Sequence, residues 1–372
     1  MHLGTICRAI VALAGATLVI SQSATAQILI GQSAGLTGGQ ADYSKDVRDG
    51  LLAYFEAVNR AGGIDGQPLK LITEDDQGKR DLVVANTKKL IEKDNVFALI
   101  GYTSGAGTEA ALPIAEAARV PMLSPASGNM GIRAQHHRFL FHTPAGYDAE
   151  MKYIVDTTAQ LGMSRYALVY LQDAAVNRPA MEAALAANNL KAVEALGIDR
   201  NAKDFGPVVE KLLAAKPDAV LFITNGPPLV EIVRGMKKRG YTGEFISSSF
   251  SGVKVMDDLK DDAIGLKFVQ VLPTPKRSYP RIVKEFRGHL QQLDAKATPN
   301  YTNLEGYVAA RVLVEGLRRA GKAPTRERFV AALETFRQVD LGGYDVSFSP
   351  INHNGSRFIE IGVVNLAKAL VF

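Results

Sequence analysis

The segment GQSAG at residues 31–35 has the G-x-S-x-G pattern of a nucleophile elbow, in which a serine attacks a carbonyl carbon. Such a serine needs a sharp turn from a strand into a helix, and an acid and a histidine later in the chain. Here residues 36–39 separate Ser33 from the next helix, which we expect to begin near Ser44. No downstream histidine has a setting typical of a general base. We therefore expect no catalytic residue and interpret Ser33 as part of a loop.

A second motif, GAGTEA at residues 105–110, fits the G-x-G-x-x-A pattern of a dinucleotide-binding turn. That turn should follow its strand directly and be followed by an acidic residue about 20 positions later. Residues 102–104 intervene after the strand, and residues 123–127 contain no acid. The densest acidic group, Glu74-Asp75-Asp76, is more typical of a solvated or helix-capping turn than of a metal site. We therefore predict neither a cofactor nor a metal.

The elements that position these segments alternate regularly along the chain. Short apolar runs of strand type alternate with longer segments of helical period, a pattern typical of βαβ units and parallel sheets. In the first helix, five apolar residues form one face: Val47, Leu51, Tyr54, Phe55 and Val58. A second series of the same kind begins after Pro144. The pattern predicts an α/β fold with two doubly wound sheets.

The N-terminus has the order of an export signal. Arg8 precedes an apolar run at residues 10–20, and Ala24-Thr25-Ala26 has the small-x-small form of a cleavage site. The run is about half of the roughly 20 residues that a spanning helix needs, so we expect a removable signal at residues 1–26. Cys7, the only cysteine, lies inside this signal. The formal net charge of +5 is small and evenly spread, which argues against nucleic-acid binding.

Three loops share a composition of hydroxyl and glycine residues between a strand and a helix, at residues 31–40, 102–108 and 124–128. In open α/β sheets, ligands bind beyond the carboxyl ends of the strands, where helix N-termini offer free N–H groups. The helix dipole there favours an anion such as a carboxylate. The pattern indicates a binding surface, although ordinary βα turns would give the same pattern.

Two segments carry a resemblance to a known family: AYFEAVNRAGGIDGQPLKLITEDDQ at residues 53–77 and ALIGYTSGAGTEAALPIAEAARVPMLSPAS at residues 98–127. They strongly resemble the leucine/isoleucine/valine-binding family of periplasmic binding proteins, the type I solute-binding subunits of ABC importers. The resemblance continues through residues 218–241 and 304–321 and covers essentially the whole mature chain. It implies a periplasmic protein with two Rossmann-like lobes that close on one small molecule by hinge motion.

The resemblance also implies where the lobes divide. Three strands should cross between them, near Thr143–Gly146, Val271–Thr274 and Leu341–Asp345. Lobe 1 is then expected to comprise residues 27–145 and 273–343, and lobe 2 residues 146–272 and 344–372.

The family's amino-acid binders imply a ligand site on both lobes. The matching residues are Tyr43, Thr103, Ser104, Gly105, Ala126, Ser127, Gly128, Asn225, Ser249 and Phe250. The loops at residues 103–105 and 126–128 would hold the ligand carboxylate, and Tyr43 would line the pocket. Ser249 and Asn225 stand where the family has a glutamate for the ligand ammonium and a tyrosine.

A serine cannot neutralise a buried ammonium, which is costly to leave unpaired. Glu231 and Asp173 are acidic residues that could compensate, but their expected positions do not point clearly at the cleft. The identity of the ligand therefore stays open. It is either a branched-chain or other amino acid, or an aromatic or other carboxylate without the amine. The resemblance implies a monomer that delivers its solute to the permease subunits of an ABC transporter, without inserting into the membrane. Presentation of a ligand to a chemoreceptor or kinase is the alternative.

Overall fold

The computed structural model describes residues 27–38, 40–252 and 254–372. The expected export signal lies outside the described residues. The chain forms two lobes of mixed α/β structure, each built on its own sheet, and the predicted fold class is thereby confirmed.

The first lobe begins with a parallel sheet of five strands and the helices between them. Its elements are β1 (Ile28–Ala34), α1 (Ala41–Arg60), β2 (Leu69–Asp75), α2 (Arg80–Glu92), β3 (Ala98–Ile100), α3 (Gly105–Ala117), β4 (Met122–Leu123) and β5 (Leu140–Phe141). The strand order is β2-β1-β3-β4-β5, so β1 and β3 lie centrally and end beside one another. α1 begins at Ala41, earlier than the expected Ser44.

The second lobe contains a sheet of seven strands. Its elements up to the second crossing are α4 (Tyr147–Gln160), β6 (Tyr166–Leu171), α5 (Arg178–Ala186), β7 (Ala192–Ile198), α6 (Gly206–Ala215), β8 (Ala219–Ile223), α7 (Gly226–Lys238), β9 (Glu244–Ser247), α8 (Val255–Leu259) and β10 (Lys267–Gln270). The strands from β6 to β10 are parallel. Their carboxyl ends therefore meet at one edge of the sheet.

The chain then returns to the first lobe before it ends in the second. The returning elements are α9 (Arg281–Leu293), α10 (Tyr301–Ala320), α11 (Arg326–Leu333) and a hairpin of β11 (Val339–Asp340) and β12 (Asp345–Val346). Their apolar residues join the core of the first lobe. Two last strands, β13 (Glu360–Val364) and β14 (Leu370–Val371), extend the second sheet in antiparallel order.

The third crossing lies later than expected. Gly342 and Gly343 have φ of 104° and 88° and form the turn of the β11–β12 hairpin, which the side chain of Asp340 caps at Gly342 N–H. Val346 and Phe348, beyond this turn, are still packed in the core of the first lobe. The chain instead passes beside the first crossing, where Ser356 N–H donates to Thr143 O at 2.8 Å. The expected position near Leu341–Asp345 is therefore wrong; the residue bounds of the two lobes stay a prediction.

Two glycines let α1 and α10 approach until their backbones touch. A Cβ on Gly50 would lie 1.9 Å from the carbonyl oxygen of Asn303, and one on Gly306 would lie 2.0 Å from that of Val47. Both distances are far below any contact that a real Cβ makes, so only glycine fits. This contact fixes the first turns of α1 and α10 side by side, at the end of the lobe where the loops gather.

None of the helices within the described residues is long and apolar enough to cross a bilayer.

Candidate ligand-binding site

The loops that follow β3 and β4 lie against each other at the carboxyl end of the first sheet. Ala126 N–H donates to Tyr102 O at 2.8 Å, and a Cβ on Gly105 would lie 2.7 Å from Ser127 Oγ. The hydroxyl of Tyr43, on α1, donates to Ala126 O at 2.8 Å. The structure thus brings the sequence-predicted residues of this lobe together at one place.

Each hydroxyl in these loops has a defined local partner. Ser104 is the N-cap of α3, because its Oγ accepts the N–H of Gly107 at 3.0 Å. Thr103 is buried, and its Oγ1 lies 2.9 Å from Ser44 Oγ. Ser127 is part-exposed, and its Oγ accepts the N–H of Asn129 at 3.3 Å. The capped N-terminus of α3 therefore presents its first N–H groups beside the Ser127 hydroxyl, a setting suited to a carboxylate.

The second lobe presents polar atoms without partners at the ends of β8 and β9. Thr224 and Ser248 are fully buried, and within the described residues neither Thr224 Oγ1 nor Ser248 Oγ has a hydrogen-bond partner. Asn225 Oδ1 also lacks a hydrogen-bond partner within the described residues. Asn225 directly precedes α7, but its side chain makes no capping hydrogen bond. Since buried polar atoms are nearly always paired in native proteins, these three atoms indicate a place where a bound molecule completes the hydrogen bonding.

Ser249 holds a carboxylate that the sequence reasoning missed. Its N–H and its hydroxyl both donate to the carboxylate of Glu150, each at 2.7 Å. Glu150 lies in the first turn of α4 and is fully buried. The second lobe therefore has an acid at this position, because α4 supplies it where the loop after β9 has only serine.

Glu231 and Asp173, which the sequence offered as partners for a ligand ammonium, do not supply a buried negative charge. Glu231 pairs with Arg234 and Asp173 pairs with Arg200, and each of the two carboxylate side chains is 58% exposed. Glu150 could have been found from its helix, since it shares the buried face of α4 with apolar residues such as Tyr147 and Met151. An ionisable residue on an apolar helix face is a candidate functional residue, because burying its charge is costly.

Two further charged residues lie near Glu150. Arg133 is buried, and its guanidinium donates to Ser127 O, to Pro144 O and to Asn354 Oδ1 at 3.0–3.3 Å. Glu305, in the second turn of α10, is part-buried. The sequence analysis named neither of them.

Burial controls the protonation of these carboxyls. It raises the pKa of Glu150 to about 7, although the hydrogen bonds from Ser249 and the charge of Arg133 act in the opposite direction. Burial likewise raises the pKa of Glu305 to about 7, against the charge of Arg133. Both carboxyls therefore change charge near neutral pH, which is typical of functional sites.

The lobes touch beside these groups. Met130 N–H donates to Asn177 Oδ1 at 2.9 Å, and Lys254 Nζ lies 3.7 Å from Asp42 Oδ2. The rings of Phe250 and Tyr147 are 6.0 Å apart, and Gly128 O accepts the N–H of Tyr147 at 3.1 Å. The predicted residues Gly128 and Phe250 thus approach Tyr147 from different lobes, and the candidate site is the cleft between them.

Ser33 has a structural role in the first lobe. It is fully buried, its hydroxyl donates to Asp76 Oδ2 at 2.8 Å, and it accepts from Asn86 Nδ2 at 3.2 Å. This hydrogen bonding involves no histidine, and the side chain is not accessible to a substrate. No group of three or more His, Cys, Asp or Glu side chains within the described part of the chain has an arrangement that could hold a metal ion.

A separate cavity of about 480 Å³ lies beside the C-terminal half of α10. Its lining includes Arg311, Arg319 and Arg337. Arg311 pairs with Glu285 and Arg319 with Glu315, while Arg337 donates to backbone carbonyls. Because three of its four guanidinium groups already have partners and its lining residues all belong to the first lobe, we take the cleft as the candidate ligand site.

Two sheets of parallel type with polar strand ends facing one cleft define a bilobal binding protein. The sequence profile of the periplasmic binding protein family matches residues 27–368. The chain therefore belongs to the periplasmic binding protein family, and its relatives identify the leucine/isoleucine/valine-binding type, as the sequence resemblance predicted.

Individual relatives agree with this assignment. An "Amino acid binding protein" of Pseudomonas aeruginosa is 26% identical over 323 residues, 84% of each chain. The "Leucine-, isoleucine-, valine-, threonine-, and alanine-binding protein" of the same organism is 24% identical over 308 residues, 77% of each chain. The crystal structure of a substrate-binding periplasmic protein from Ralstonia solanacearum is 29% identical, with a TM-score of 0.85 over 93% of this chain and 99% of that one.

Proposed function

We propose that this protein captures an α-amino acid in the cleft between its lobes and delivers it to the permease of an ABC importer. The observation that carries the proposal is the buried carboxylate of Glu150, which Ser249 holds at the edge of the second sheet. A ligand ammonium would neutralise this charge. The ligand carboxylate would bind the N-terminus of α3 and the hydroxyl of Ser127 on the opposite lobe.

Two relatives support the same ligand class by their names. One is an amino-acid-binding protein, and the other binds five aliphatic or small amino acids. A carboxylate without an amine would leave Glu150 unpaired beside a second negative charge, which is costly in a desolvated cleft. We therefore favour an amino acid over the aromatic or other simple carboxylates that the sequence left open.

A thermal-shift screen followed by calorimetric titration tests the ligand class. We expect L-leucine, L-valine, L-threonine or L-alanine to stabilise the protein, because a ligand at about 100 times its dissociation constant adds about 2.7 kcal/mol to the free energy of unfolding. The matched controls are 4-methylpentanoate, which is leucine without its amine, and benzoate; neither should shift the midpoint. Tight binding of benzoate or 4-methylpentanoate, with none of leucine, would contradict the proposal.

We also propose that the protein is exported and that residues 1–26 are removed after Ala26. The order of Arg8, an apolar run and Ala24-Thr25-Ala26 supports this, as does the periplasmic family. Mass spectrometry of the exported form is expected to find Gln27 at the N-terminus. Retention of Met1 in the exported protein would contradict removal of the signal.

A further inference from the structure

Glu305 lies on the wall that the first lobe contributes to the cleft. It precedes Gly306, whose Cα packs against the carbonyl of Val47 on α1. Tyr43 lies one helical turn before Val47 and donates its hydroxyl to Ala126 O, in the second of the two apposed loops. The contact between α1 and α10 therefore links the segment that carries Glu305, through Val47 and Tyr43, to the loop that carries Ser127 and Gly128.

The carboxylate of Glu305 has no partner of its own among the described residues: it makes neither a hydrogen bond nor an ion pair there, although it is part-buried. Arg133 is the cation close enough to act on it, but the Arg133 guanidinium donates to Ser127 O, Pro144 O and Asn354 Oδ1 instead. A part-buried carboxylate without a donor is only partly hydrated, so the position favours a cationic group from outside the chain.

Glu305 and Glu150 belong to different lobes but act on each other. Burial raises the pKa of Glu150, and the charge of Glu305 adds to that rise. After burial, the charge of Glu305 is also among the causes that raise the pKa of Tyr43 and of Tyr147. The charge of Glu305 therefore acts in the volume between the lobes, where it reaches Glu150, Tyr43 on the first lobe and Tyr147 on the second.

A separate observation indicates that a ligand occupies this volume. Ser248 directly precedes the serine that holds Glu150, and its buried hydroxyl has no partner within the described residues, like that of the nearby Thr224. These neutral atoms are independent of the carboxylates. The hydroxyls of Ser248 and Thr224, unpaired among the described residues, therefore indicate a bound molecule independently of the two carboxylates.

We propose that Glu305 is a second acidic ligand-binding residue, so that the ligand ammonium lies between a carboxylate from each lobe. This inference rests on the proposed amino-acid function and extends it. When both glutamates are ionised, Arg133 offsets one of their two negative charges and the ligand ammonium offsets the other, while the ligand carboxylate binds at the N-terminus of α3. The closed cleft then selects ligands by their amine, and Glu305 links that amine to the first lobe.

Calorimetric titration of Glu305→Gln with L-leucine tests the inference. We expect the affinity to fall at least about tenfold, because one charged partner of the ammonium becomes neutral. The midpoint of thermal unfolding without ligand should stay the same or rise, since the variant removes an unpaired carboxylate. Glu315→Gln on the same helix is the matched control, because Glu315 pairs with Arg319 at the surface; its affinity should equal that of the wild type.

An amine probe adds a second measurement. Isopentylamine, which is leucine without its carboxylate, is expected to bind the wild type weakly and to lose that binding in Glu305→Gln. Unchanged leucine affinity in Glu305→Gln would overturn the inference while the proposed function stands. Loss of affinity together with a lowered unfolding midpoint would show a structural role and overturn it as well. Preference of the wild type for 4-methylpentanoate over leucine would overturn both proposals.

Discussion

Replacing Glu150 with glutamine is expected to weaken amino-acid binding by about 1.5–3 kcal/mol, or roughly 10- to 150-fold. The variant keeps the volume of the side chain and an oxygen that can accept from Ser249, but it removes the negative charge that we assign to the ligand ammonium. Calorimetric titration with L-leucine measures the loss. Glu182→Gln is the matched control on the same lobe, because Glu182 forms only an exposed pair with Arg178.

Glu150→Gln should also change how the free energy of unfolding depends on pH. Although it weakens binding, it is expected to stabilise the protein without ligand at high pH. Burial raises the pKa of Glu150 to about 7, so the folded protein without ligand holds this proton more tightly than the unfolded chain does. The resulting stabilisation is complete at low pH and is lost as pH rises through about 7. We expect the unfolding free energy of the wild type to fall between about pH 5 and pH 8.

Glu150→Gln should remove part of this fall and be more stable than the wild type at pH 8, by about 1–3 kcal/mol. Leucine affinity of the wild type should instead rise over the same interval, since the ammonium binds the ionised carboxylates. The groups that face Glu150 are Ser249, Arg133, Glu305 and Tyr147, and of these Glu305 titrates in the same range. A wild type whose leucine affinity falls from pH 6 to pH 8 would contradict the assignment.

Gly306→Ala is expected to lower the free energy of unfolding by about 3 kcal/mol or more. The added methyl would lie 2.0 Å from the carbonyl oxygen of Val47, and a backbone atom cannot move aside without separating α1 from α10. Because that contact also holds α1, whose Tyr43 donates to Ala126 O in the ligand-side loop, leucine affinity should fall as well. Urea denaturation and calorimetric titration measure the two effects.

Gly288→Ala is the control for this substitution. Gly288 lies on the exposed side of α9 with nothing within 4 Å of an added Cβ, so alanine should be neutral or stabilise the helix by up to about 1 kcal/mol. If Gly306→Ala and Gly288→Ala had the same stability, the backbone contact between α1 and α10 would not exist in solution.

The alternation of strand and helix patterns predicted much of the fold. The strand-type segments at residues 166–171 and 244–247, in the second series after Pro144, form β6 and β9. The third crossing was misplaced because two consecutive glycines are compatible with either a hinge or a hairpin turn. Val346 and Phe348 are apolar and would fit the core of either lobe, so local sequence could not decide between them.

The candidate site was predictable only in part, because some of its residues are far apart in the sequence and meet only in the folded chain. Loops that follow neighbouring parallel strands must meet at one edge of a sheet, which is why the positions of Ser104 and Ser127 could be inferred. Glu150 reaches Ser249 from a helix 99 residues earlier in the chain, and that proximity exists only in the folded structure. Matching position by position to the family showed a serine in place of an acid and could not show where the acid had moved.

Arg133 joins three segments: the turn at Ser127, the first crossing at Pro144 and the third crossing at Asn354. The conformational entropy of that turn is consequently lost when the chain folds, and none of it has to be lost again when a ligand arrives. We therefore expect the first lobe to bind a ligand without first having to order this loop. A chain with a mobile turn at Ser127 would bind the same ligand more weakly through identical contacts.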